Sequence, residues 1–103
     1  MIHFSRDMQI SIDGGISCFS FGGYHNGYVS AKHGNVFYAV LPECSSGFSG
    51  VTYVASHELI EAVTDPFPTP GSSPAYPQAW NAVDGNEIAD LCNGGNAVGL
   101  CGV

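Results

Sequence analysis

His57, Glu58 and Glu61 lie together in the run VTYVASHELIEAVTDP, residues 51–66. On a helix, positions four apart project from the same side, so His57 and Glu61 can grip one metal ion. Glu58 stands about 100° further round the axis, outside the ligand pair but within reach of a water molecule held on such an ion. This is metallopeptidase spacing with one ligand changed. Asp65 falls four residues after Glu61 on the same stripe. Glu87 and Asp90 follow in EIADLC, where a metal site would take its third protein ligand from either one.

A His-Glu-x-x-Glu pattern by itself describes an ordinary solvated helix face. Here the surrounding helix is mostly apolar, which confines the charges to one stripe. Several acids aimed at one place with a histidine would repel one another without a cation. The sequence offers no nucleophile constellation, because Ser56 and His57 are adjacent and adjacent helix residues do not face each other. His25 in Gly-Tyr-His-Asn reads first as a turn-flanking histidine. Its second reading is a ligand or an oxyanion-stabilising group. Tyr24 shares the oxyanion reading, and its plainer role is as a packing aromatic, as for Tyr38. His33 sits in a turn, and Trp80 reads as a cap on the core.

The elements that must position these groups follow from periodicity. Val51, Val54, Ala55, Leu59, Ala62 and Val63 recur at helical spacing, Ser49 is the expected N-cap, and Pro66 ends the helix at or before Asp65. Val36–Leu41 is apolar on both faces and predicts a strand ending at Pro42. Upstream, alternation around Met8, Ile10 and Ile12 and again over Ile16–Phe21 predicts short strands about an Asp13-Gly14-Gly15 turn. Asn26-Gly27 predicts a tight hairpin, since both residues tolerate positive φ. The connection 43–50 reads as a small-residue loop. The segment 67–78 holds four of the six prolines and predicts a long surface loop. Beyond it come a brief strand at Trp80–Val83, a turn at Asp84-Gly85-Asn86 and one or two helical turns over Glu87–Cys92. The expected class is α+β, with a small antiparallel or mixed sheet packed on one site-bearing helix and a short second helix.

The chain of 103 residues makes one domain, and 45% apolar against 11% charged residues gives it the means to fold. Nine acids against two bases, Arg6 and Lys32, leave little to neutralise phosphates. Nucleic acid and anionic membranes are therefore excluded as expected partners, whereas cations and basic substrates fit. No apolar run reaches membrane-span length, and no basic region followed by an apolar segment marks an export signal. Cys18, Cys44, Cys92 and Cys101 are too widely spaced for a zinc knuckle or redox pair. Two disulfides are possible with three connectivities open, and at least one is expected, joining either Cys92 to Cys101 or Cys18 to Cys44. Disulfides, few lysines and abundant Gly, Ser and Tyr agree with secretion.

ASHELIEAVTDPF, then AW and EIADLCNG, resembles bacterial zincin-like metallopeptidases, distantly similar to plant exordium-type extracellular proteins. FGGYH also fits, although that group tends to carry a cysteine where this chain has Gly22-Gly23. The resemblance covers about Cys18 to Gly94. It implies a zincin-type domain trimmed at one or both ends, hydrolysing a peptide or protein substrate. In that arrangement Glu58 is the general base, and His57 and Glu61 are ligands with Glu87 or Asp90 as the third. Asp65, His25 and Tyr24 stand as supporting groups, and Val36, Phe37, Tyr38, Ala39 and Val40 form the edge strand along which substrate lies.

The implied ion is Zn²⁺. Glu61 in place of a second histidine adds negative charge, which acidifies bound water less and brings Ca²⁺ or Mn²⁺ into consideration. Two alternatives to catalysis remain in view. One is a non-catalytic extracellular interaction module on an inherited peptidase scaffold, and the other is a domain with structural calcium.

Overall fold

The computed structural model describes residues 1–44 and 47–92. A three-stranded mixed sheet lies against one helix, the α+β arrangement expected. In chain order the elements are β1 (Ile2–Phe4), β2 (Ser11–Ile12), β3 (Gly15–Ile16), β4 (Tyr24–Ser30), β5 (Gly34–Pro42) and α1 (Gly47–Thr64). A single 3₁₀ turn at Asp90–Cys92 closes the described chain.

The tight hairpin falls at Asp13-Gly14, not at Asn26-Gly27. Asp13 and Gly14 both have positive φ, at 50° and 81°, and join β2 to β3, which suits a two-residue loop. Asn26 and Gly27 lie inside β4, paired with Tyr38 and Phe37. A Cβ at Gly27 would stand 2.8 Å from atoms of both the Phe37 and Phe67 rings, so glycine there makes room for an aromatic pair. The expected strand over Ile16–Phe21 stops at Ile16. Cys18 takes φ of 66° and is joined to Cys44 by a disulfide, one of the links expected. The Cys92–Cys101 link lies outside the described residues.

The sheet order is β1-β5-β4, so of the expected edge strand Val36, Phe37, Tyr38, Ala39 and Val40 only Val40 is paired on both sides, and the other four keep one unpaired side. β5 is central because β1 runs parallel to its second half, pairing Ile2 with Val40 and Phe4 with Pro42. Within β5 the stretch before Val40 pairs with β4 alone and keeps an unpaired side.

Helix α1 begins at Gly47, so the 47–50 segment is helical and Ser49 lies within the helix instead of capping it. Poor helix formers are tolerated in a first turn, where the N–H groups have no intrahelical partner in any case. At the other end the Thr64 carbonyl accepts from Ala79 and Trp80 N–H at 2.6 and 3.3 Å, tying the returning chain to the helix. Residues 67–92 contain no strand, so the strand expected at Trp80–Val83 is also corrected. Ala82 instead donates to the Asn86 carbonyl and accepts from Gly71 and Gly85.

The helix is docked with an unexpected face inward. Leu59 and Val63, two of the apolar residues at helical spacing, are 53% and 73% exposed, while the buried residues of α1 are Glu58 and Glu61. The inward stripe runs Val54, Glu58, Glu61 and on to Asp65 just past the helix end, at helical spacing with three acids. The buried apolar side chains among the described residues are Ala39, Val40 and Leu41, with Pro42 and Pro66 beside them. The place where a small domain would put its apolar core is thus given to carboxylates.

Candidate metal centre

The inward stripe of α1 meets β4 at His25. Ala39 is its cross-strand partner, so the imidazole stands on the helix-facing side of the sheet and only 2% of its side chain is exposed. The turn-flanking reading of His25 is therefore corrected. His25 Nδ1 lies 3.3 Å from Glu58 Oε2 and 3.7 Å from Glu61 Oε2, while Nε2 is 2.9 Å from the Asp65 carbonyl and 3.3 Å from Glu87 Oε1. Tyr24, the preceding residue, turns to the opposite face. There it packs edge-on against Phe21 and Tyr38, which leaves it outside the cluster.

Toward the surface stands a second group. His57 Nε2 is 3.0 Å from Glu61 Oε1 and 3.5 Å from Asp90 Oδ1. The 3₁₀ turn delivers Asp90 to this point, and Asp90 Oδ2 also accepts the Glu87 N–H at 3.1 Å. Of the two acids expected to compete for one position, Asp90 approaches His57 and Glu87 approaches His25. The tight three-residue spacing places them in different groups.

Ligand chemistry can be checked against the unpartnered atoms. Four buried carboxylate oxygens make no aligned hydrogen bond: Glu61 Oε1, both oxygens of Asp65, and Glu87 Oε1. Leaving such groups unmade costs about 1–3 kcal/mol each, more when charged. Around an ion with bonds of about 2.1 Å in a tetrahedron, neighbouring ligand atoms stand about 3.4 Å apart. The His57–Glu61–Asp90 separations of 3.0 and 3.5 Å bracket that edge length. Nitrogen and carboxylate oxygen donors suit Zn²⁺ or Mn²⁺, and the residues present fit a divalent ion.

Proton affinities follow the crowding of acids. Burial works to lower the pKa of His25, but contacts with Glu58, Glu87 and the Asp65 carbonyl outweigh it and push it up to about 10. Glu61 beside His57 raises that imidazole also, against desolvation. Burial pushes the Glu87 carboxyl up, opposed by His25. Burial and then Tyr38 raise the Tyr24 phenol.

A cleft of about 260 Å³ opens onto this centre, lined by residues 20–23 on one side and by Tyr53, Val54, His57, Glu58 and Asp90 on the other. Glycine at 23 keeps it open, since a Cβ there would fall 2.9 Å from Glu58 Oε1 and 2.5 Å from Val54. Phe37, Tyr38 and Ala39 border a different hollow of about 180 Å³, which reaches Glu58 and Ala62 from behind.

No family model, curated protein or solved structure matches this chain.

What the sequence missed is His25 as the centre of the buried group. The available signal was its place next to a glycine pair in a segment alternating toward the sheet's inner face. The Asn26-Gly27 turn signal masked it.

Proposed function

We propose that this chain is a metal-dependent peptidase of zincin type, with His57, Glu61 and Asp90 holding the ion and Glu58 as general base. The observation that carries the proposal is the convergence of His57 Nε2, Glu61 Oε1 and Asp90 Oδ1 beside a cleft that Glu58 also lines. When bound, the ion supplies a Lewis acid and lowers the pKa of water toward the range in which a carboxylate can take its proton.

The chain's own residues do the rest. Glu58 keeps one carboxylate oxygen on His25, which fixes its rotamer, and Oε1 faces the Gly23 side of the cleft. Its task is to accept a proton from the attacking water and return it to the leaving amine. His57 is partly open to the cleft, whereas Glu61 is enclosed, so the ion-binding side meets substrate at His57 and Asp90. An extended peptide would run along residues 20–23, where Gly22-Gly23 leaves backbone accessible. In this proposal β5 contributes support instead of a substrate edge. The Cys18–Cys44 disulfide anchors that wall and supports an extracellular setting. No described helix is long and apolar enough to cross a membrane.

The test is Glu58→Gln. It should keep the metal while lowering hydrolysis of a peptide substrate by about a hundredfold or more, the range of a general base. Loss of metal would make Glu58 a ligand, and retained hydrolysis would remove the mechanism. The oxygen-rich donor set favours one second reading, a structural Ca²⁺ domain without hydrolysis. Metal content of protein purified without added ions separates it, since Ca²⁺ in place of Zn²⁺ or Mn²⁺ would decide for it.

A further inference from the structure

Glu61 belongs to two groups of ligand atoms at once. Its Oε1 faces His57 and Asp90, and its Oε2 faces His25 Nδ1 beside Glu58 Oε2. We propose that the centre takes a second divalent cation, held by His25, Glu58 and Glu61, so that the Glu61 carboxylate bridges two ions. The inference rests on the first site proposed above and extends it inward.

Three observations carry it. First, the histidine is set up as a ligand. Its Nε2–H donates to the Asp65 carbonyl at 2.9 Å, so Nδ1, which is aimed at the two glutamates, is the nitrogen that would give up its proton to an ion entering between them. Ligating histidines characteristically have their other nitrogen held by a backbone carbonyl or carboxylate in this way. Second, the separations of 3.3 and 3.7 Å match the tetrahedral edge of about 3.4 Å expected around one ion. Third, charge remains after one ion is placed. Glu58, Glu61, Asp65, Glu87 and Asp90 bring five carboxylates to one region, and one divalent ion together with the His25 imidazolium still leaves two of those charges unmatched. The Glu61 side chain is 4% exposed and turns its other oxygen, Oε2, to His25, and both Asp65 oxygens are unpartnered at zero exposure. Such groups are buried charged only when paired or metal-bound.

The second ion would have a functional cost, because Glu58 cannot both ligate it and accept a proton from water. The inner site is therefore inhibitory. Hydrolysis should rise through the first equivalent of metal and fall as the second binds.

The experiment is a Zn²⁺ titration of the full metal-stripped chain by calorimetry, with bound zinc counted after gel filtration. The parent chain, His25→Gln and His57→Ala are compared. Two equivalents in the parent, with one lost in each variant, is the expected result. One equivalent in the parent that His57→Ala abolishes and His25→Gln retains overturns the inner site and leaves the outer one standing. One equivalent lost only in His25→Gln overturns the outer site and the pair with it. Two equivalents retained in His25→Gln also overturns the assignment. Because His25 is buried and its variant can misfold, the parent loaded with Mn²⁺ is read by electron paramagnetic resonance. Two carboxylate-bridged ions give an exchange-coupled spectrum, and an isolated six-line signal at saturation overturns the proposal.

Discussion

Replacing Gly23 by alanine tests the fit between α1 and the sheet without replacing any proposed ligand. A methyl at this position would stand 2.5 Å from Val54 Cγ1, 2.9 Å from Glu58 Oε1 and 3.2 Å from the Val40 carbonyl oxygen. Carbon atoms pack at about 3.5–4.0 Å, so Val54 must retreat by roughly 1–1.5 Å. Valine is stiff at χ1 and has no rotamer that merely swings its end away, so the helix itself must shift. The carbonyl on the other side belongs to β5 and cannot yield. Overpacking of this kind costs about 1–3 kcal/mol. At about 4–8 °C per kcal/mol for a domain of this size, melting should fall by roughly 4–24 °C. The assay is thermal unfolding of Gly23→Ala, Val54→Ala and the double variant. Truncating Val54 removes the collision, so the double variant should be less destabilised than the sum of the singles. A Gly23→Ala protein as stable as the parent, or strictly additive effects, would refute the close approach.

Reduction of Cys18–Cys44, or its replacement by two alanines, releases a loop spanning a sequence separation of 26. By loop-closure entropy this should cost about 3–4 kcal/mol, read as a lower urea midpoint. In chelator, stability should decline with rising pH. The folded pKa of His25, about 10, lies above its ordinary 6.5, so its contribution is complete below 6.5 and is lost as pH rises through about 10. Glu87, also raised, adds loss in the same direction beginning above its ordinary 4.5. Melting temperatures from pH 6 to 10 check this, and a flat profile in that window would contradict it. Metal binding must displace the His25 proton if the inner site fills. Apparent affinity should then rise with pH, and calorimetry in buffers of different ionisation enthalpy should show proton release.

The helix, the central strand and the proline-rich loop were legible because periodicity and proline are local signals. Which side of the helix faces inward was not. Apolar periodicity pointed Leu59 and Val63 to the core, and the fold turned Glu58, Glu61 and Asp65 there instead. A hydrophobic pattern predicts burial only where burial is driven by apolar area, and a charged centre reverses the rule. The place of β5 in its sheet was illegible for another reason. Only three residues of β1 pair with it, in parallel and from the far end of the chain, with no turn to announce them. The partition of Glu87 and Asp90 between two histidines likewise required His25, whose partners are 33 or more residues away in sequence.

The inward carboxylates give this chain an unusual relation between durability and chemistry. In most domains the residues that hold the fold and those that act on a ligand can vary apart, because they occupy different places. In the function proposed above they would be the same side chains, with Ala39, Val40, Leu41, Pro42 and Pro66 as the buried apolar remainder among the described residues. Exchange of a buried ionic set for well-packed apolar residues is often neutral or stabilising. Selection for persistence alone would therefore tend to erase the cluster. If the cluster holds cations as proposed above, their supply would set the lifetime of the folded chain.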